Sequence, residues 1–197
     1  QAGCKGVCER VHTEILTGVS SPEFSSHDEN HDEILVDGLK QRIGALERDT
    51  VIVVHMMGSH GPAYWKRVPE KFEVFKPVCA DSQFSRCENQ AIVNAYDNTI
   101  VYTDFVLSRL IDVLKAGDQQ GVETAMIYMS DHGESLGEKN MFLHGMPYAI
   151  APESQRHVPA LAWISDKFRA SRSIDLGCMK TNAAARVSHD NLFHSVL

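Results

Sequence analysis

Ala125-Met126-Ile127-Tyr128-Met129 leads directly into Ser130-Asp131-His132-Gly133-Glu134. A carboxylate and an imidazole on neighbouring residues, where an apolar strand gives way to a glycine turn, are ligands suited to a divalent, zinc-like ion. The pair could instead merely cap a turn, since zinc centres are defined by four donors and this string supplies two. Two more histidines stand beside glycines, His60 in Gly58-Ser59-His60-Gly61-Pro62 and His144 in Leu143-His144-Gly145. Each alone reads as a solvated loop residue, whereas three histidines at presumptive strand ends together favour a site. Glu134 admits two readings: a first-turn acid favoured by a helix dipole, or a carboxylate that orients a ligand or enters a second metal position. His27 and His31 have helical ligand spacing but lie in an acidic polar stretch, and they are read as solvated.

The elements that must position these groups follow from periodicity. Residues 17–33 are polar and read as a loop feeding a helix over Asp32 to Leu46, where Ile34, Leu35, Leu39, Ile43 and Leu46 recur near helical period. Val51 to Met57 is β-branched and apolar, a buried strand. A second helical pattern runs from Gln90 to Lys115, with Gly117 as its stop. The strand before Ser130 comes next, then a third over 158–164. Residues 165–187 are read as irregular, and Ser188 as the cap of a helix that begins at His189. Strands separated by long crossovers predict an α/β fold with a mostly parallel sheet flanked by helices. In such sheets ligands bind at the carboxyl edge, which is where Asp131 and His132 fall.

Composition narrows the function classes. The chain has 197 residues, 43% of them hydrophobic, enough for one core. A net charge of −7 argues against a nucleic-acid partner, which would call for a basic face. Glycine-rich phosphate loops and dinucleotide fingerprints are absent from the sequence, as is any apolar run long enough to span a bilayer. Of the five cysteines, Cys79 with Cys87 and Cys4 with Cys8 close short loops and are read as disulfides, which places the chain in an oxidising compartment. Cys178 is left over.

Several strings in this order resemble one family. Cys4-Lys5-Gly6-Val7-Cys8, Gly58-Ser59-His60-Gly61-Pro62-Ala63-Tyr64, Tyr96-Asp97-Asn98, Ser130 through Glu138, Leu143-His144-Gly145, His157-Val158-Pro159 and Ser188-His189-Asp190-Asn191 are similar to the bacterial lipid A phosphoethanolamine transferases. That group includes the mobile colistin resistance enzymes, and it resembles the alkaline phosphatases and sulfatases more distantly.

The resemblance implies an alkaline-phosphatase-like, zinc-dependent enzyme on the periplasmic face of the Gram-negative inner membrane. It would move phosphoethanolamine from phosphatidylethanolamine to a lipid A phosphate through a phospho-threonine, and a monomer is expected. Asp131 and His132 are the implied Zn²⁺ ligands. His60 and His144 are the implied groups that stabilise the transferring phosphoryl or protonate the leaving oxygen, with Glu134 beside them. It also implies that residues 1–197 are the C-terminal part of one periplasmic catalytic domain, incomplete at both ends, with the membrane anchor, a glutamate ligand and the nucleophilic threonine upstream. On this reading Thr17 is not the nucleophile, and these residues alone are expected to be inactive. The alternatives are a sulfatase, phosphodiesterase or phosphoglycerol transferase of the same superfamily, or a fragment without catalysis.

Overall fold

The computed structural model describes residues 9–17, 19 and 21–196. Cys4 and Cys8 lie outside the described residues. The polar stretch contains a short hairpin, β1 (Ser25–Ser26) against β2 (Glu29–Asn30), turned by His27 and Asp28 in left-handed backbone. The helix expected from Asp32 to Leu46 is split into a 3₁₀ turn at Asp32–Leu35 and α1 (Leu39–Gly44). Gly38, at φ 70°, breaks the run, because this backbone cannot continue a right-handed helix.

The spine of the molecule is α2 (Asn89–Gln119). Its apolar stripe, with Ala91, Ile92, Ala95, Tyr102, Val106 and Leu110 buried, packs Leu39 and Ile43 of α1 with Val68 on one stretch and Tyr64 with Cys79 on another. Buried Asn98 uses its whole amide on the chain before the helix, accepting from Phe75 N and donating to Phe75 O, both at 2.9 Å. The expected stop at Gly117 is corrected here. Gly117 is a buried helical residue, where a Cβ would meet Ile43 Cγ2 at 2.9 Å. The left-handed turn comes at Gly121, φ 98°.

Beyond it, β3 (Ala125–Met129), β4 (Ser135–Leu136) and β5 (Phe142–Leu143) precede α3 (Glu153–Arg156) and β6 (Ala160–Ile164). Helices and strands of an α/β fold are thus present, but β3 pairs with β6 antiparallel, Ala125 opposite Ile164, and β4 with β5 likewise. The mostly parallel order is not found among the described residues. The chain between β3 and β6 folds back through the β4–β5 hairpin and α3, with no long crossover helix to reverse its direction. Val51 to Met57 is a further correction: it runs without a ladder partner among the described residues, and Val51 and Val53 are 71% and 85% exposed. β-branched content suits a pleated surface, but a strand exists only when a neighbour takes its backbone groups.

Residues 165–187 are not irregular either. They form α4 (Asp166–Ser171), capped by Ser165 accepting from Phe168 N, and α5 (Leu176–Asn182), capped by Asp175 accepting from Gly177 N and Cys178 N. The last described element is α6 (Asp190–Val196). Cys79 and Cys87 form a disulfide, as expected from their spacing, and Cys178 is free and exposed on α5.

Candidate metal and phosphoryl site

The site is built at the end of β3. Ser130 Oγ donates to His132 O at 2.8 Å, and His132 N donates to Asp131 Oδ1 at 3.0 Å, so the turn carries its own braces. Gly133 then passes under α3. Its N–H donates to Gln155 O at 3.0 Å, and a Cβ there would stand 2.0 Å from Ser154 O, so only glycine fits. His132 Nδ1 lies 2.9 Å from Gly133 O. A carbonyl only accepts, so Nδ1 carries the proton and Nε2 keeps the lone pair a metal needs.

His144 arrives from β5. Leu143 has φ 64° and Gly145 φ 109°, and this left-handed pair turns His144 back toward Glu134. His144 Nδ1 is 2.9 Å from Glu134 Oε1, whose side chain is 4% exposed, and the His132 and His144 rings are 3.7 Å apart. One donor atom each from His132, Glu134 and His144 fits within 4.8 Å, a set able to hold a divalent cation. Asp131 faces the same ring from solvent, Oδ2 3.8 Å from His132 Nε2 and 84% exposed. The residues present therefore suit a zinc-like ion, with imidazole nitrogens free and carboxylates beside them.

Buried Gln155 joins the two arms. Its Nε2 donates to Ser135 Oγ at 2.9 Å and to Leu143 O at 3.1 Å, while Met146 N donates to its Oε1 at 3.4 Å. Nothing in the sequence distinguishes this glutamine, which sits in a four-residue helix without apolar periodicity. Tyr64, 1% exposed, packs beside Glu134, and burial, then that carboxylate, pushes its hydroxyl well above the ordinary tyrosine value.

His60 is exposed on the neighbouring turn. Asp32 accepts from Met57 N and Gly58 N, both at 2.7 Å, and Thr99 Oγ1 donates to Ser59 Oγ at 2.6 Å. Arg67 Nε donates to His60 O at 3.0 Å. Burial raises the Asp32 carboxyl even against those two backbone donors. A Cβ at Gly61 would meet Leu143 Cδ2 at 2.6 Å, so this turn rests on the residue before His144. Among the described residues no hydrogen bond joins the His60 ring to His132, Glu134 or His144.

The remaining candidates separate from the site. His27 is exposed on the hairpin turn, edge-on to Trp65. His31 is corrected from a solvated residue to a buried one, 5% exposed, with Nε2 2.7 Å from Ser26 Oγ. The hairpin carries it under Tyr102.

The sulfatase family model matches residues 1–197. Phosphoethanolamine transferase EptA of Escherichia coli K12 is 43% identical over 196 residues, 99% of this chain and 36% of that protein. Phosphatidylethanolamine transferase Mcr-1 of Escherichia coli is 44% identical over 138 residues, 70% of this chain and 25% of that protein. The soluble domain of lipooligosaccharide phosphoethanolamine transferase A from Neisseria meningitidis superposes with a TM-score of 0.93 at 40% identity, covering 100% of this chain and 58% of that one. The chain thus spans about a third of the length of the curated EptA relative.

Proposed function

The chain belongs to the sulfatase family, and from that premise we propose that it is part of the catalytic domain of a zinc-dependent phosphoethanolamine transferase. The donor is phosphatidylethanolamine and the acceptor a lipid A phosphate. The observation that carries this reading is the junction of His132, Glu134 and His144 at the end of β3, with the His60 turn packed alongside. Names of relatives that act on phosphoethanolamine support the substrate class.

In this reading Asp131 and His132, through its unprotonated Nε2, would hold the zinc ion, and the Glu134–His144 pair stands beside it. Bound there, zinc would polarise the phosphoryl oxygens and lower the pKa of an attacking hydroxyl. Glu134 accepts the His144 Nδ1 proton in a hydrogen bond, which leaves the lone pair on Nε2. His144 Nε2 therefore takes a proton from the attacking hydroxyl, or returns one to the leaving glycerol oxygen. His60 adds a donor where charge builds on the transferring phosphoryl. The phosphoryl group passes through a phospho-threonine on its way to the lipid A phosphate.

The enzyme acts at the periplasmic face of the inner membrane. The Cys79–Cys87 disulfide fits an oxidising compartment, and no described helix is long and apolar enough to cross a membrane. Adding an ammonium to a lipid A phosphate lowers surface charge and weakens binding of polycationic antibiotics such as colistin. The test is incubation of the full protein with phosphatidylethanolamine and lipid A, followed by mass spectrometry of the lipid A. Gain of a phosphoethanolamine mass is expected; unmodified lipid A alongside hydrolysis of sulfate esters would overturn the reading.

A further inference from the structure

A cavity of about 260 Å³ opens beside the site, with His132 and His144 on one wall and Met146, Tyr148, Gln155 and Arg156 on the others. The metal chemistry accounts for the histidines but not for Arg156. Its guanidinium lies 5.1 Å from the centre of the Tyr148 ring, stacked on an aromatic face. Among the described residues no carboxylate pairs with it. Glu153, one helical turn earlier, turns to His157 at 3.8 Å instead.

The rim beside Arg156 has a different chemistry. Met146 and Tyr148, both lining the cavity, are 40% and 78% exposed. The loop that carries them is pinned: Ile150 N and Ala151 N both donate to Pro147 O at 2.9 Å, and Ala151 is buried. An unpaired guanidinium in a cavity shared with two imidazoles is a receptor for a phosphate, which its fork can grip through two hydrogen bonds. The apolar rim beside it suits the hydrocarbon or sugar face of the molecule that bears the phosphate. The volume decides how much of that molecule enters, because pockets that enclose whole drug-sized ligands run to roughly 300–1,000 Å³. Only a headgroup fits.

We propose that Arg156, backed by Tyr148, forms a lipid-phosphate subsite next to the metal site, with Met146 and Tyr148 as its apolar shelf. The phosphate is either the diester of the donor or the ester of the acceptor; the chemistry is shared, and kinetics separate the two. For its turnover arm the proposal rests on the transferase reading above.

The experiment compares the full protein with Arg156→Ala and Arg156→Lys, varying phosphatidylethanolamine and lipid A independently in detergent micelles. Arg156→Ala is expected to raise the KM for one of these lipids by about 10- to 100-fold, a lost charge-assisted bidentate contact, and the KM for the other far less. The lipid affected identifies the source. Arg156→Lys recovers only part of the loss, because an ammonium lacks the fork. Both KM values unmoved, or both moved together with a lowered melting temperature, would overturn the subsite.

Titration with dodecyl phosphate gives a second reading that needs no turnover. Its Kd should rise about 10- to 100-fold in Arg156→Ala, and equal binding by both proteins contradicts the proposal. If the wild type binds dodecyl phosphate through Arg156 yet transfers nothing, the transferase reading fails and the subsite stands.

Discussion

Replacing Gln155 with leucine should uncouple the two arms of the site. The side chain is 7% exposed and nearly the size of leucine, so the change leaves little cavity and isolates the hydrogen bonds. Two are well formed, to Ser135 Oγ at 2.9 Å and Leu143 O at 3.1 Å; the third, from Met146 N at 3.4 Å, is too long to count for much. Each good bond contributes about 0.5–1.5 kcal/mol net, and leaving an acceptor unpaired costs about 1–3 kcal/mol. Ser135 retains Ser154 Oγ at 3.3 Å, so the penalty falls mainly on the Leu143 carbonyl. The sum is a loss of about 2–4 kcal/mol. Urea unfolding followed through Trp65 and Trp163 would read it, and a double-mutant cycle with Ser135→Ala should show about 1 kcal/mol of coupling. Transfer by the full protein should slow as well, because Leu143 sets the direction of His144. A Gln155→Leu protein within about 0.5 kcal/mol of wild type, with no coupling to Ser135, would refute the idea that this glutamine ties the arms together.

Gly133→Ala should cost about 3 kcal/mol or more and abolish metal binding, since its Cβ would stand 2.0 Å from Ser154 O; denaturation and zinc titration would check both. Cys79→Ser opens a disulfide of sequence separation 8 and should lower stability by about 2.5 kcal/mol, measured against the oxidised wild type. Burial lowers the His31 pKa from 6.5, so the stability its neutral ring contributes is complete above 6.5 and is lost as pH falls through the lowered folded value. Unfolding titrations between pH 4 and 7 should show that loss in the wild type and a flatter profile in His31→Gln; parallel profiles would exclude His31 as its source.

Local signals were legible where the chain organises itself. The strand before Ser130, the long helix through Tyr102 and Leu110, and the disulfide at Cys79 could all be read from pattern or spacing. What failed depended on partners distant in sequence. Gly117 reads as a stop but is a close approach to Ile43, and Val51 to Met57 has strand composition without a strand beside it. His31 reads as solvated because its neighbours are polar, while the hairpin tucks it under Tyr102. At the candidate site, His132 and His144 stand out in the sequence by type and by their adjoining glycines. Gln155 and Asp32 do not, since their roles are hydrogen bonds to backbone brought close only by folding.

In the proposed transferase, His132 and its neighbours hold the zinc that phosphoethanolamine transfer needs. Zinc content and transfer to lipid A, measured on the same preparation of the full protein and of its His132→Ala variant, test it most directly. Zinc and transfer are expected in the wild type, with the loss of both together in the variant. Zinc retained at full stoichiometry in His132→Ala, with transfer continuing, would contradict it.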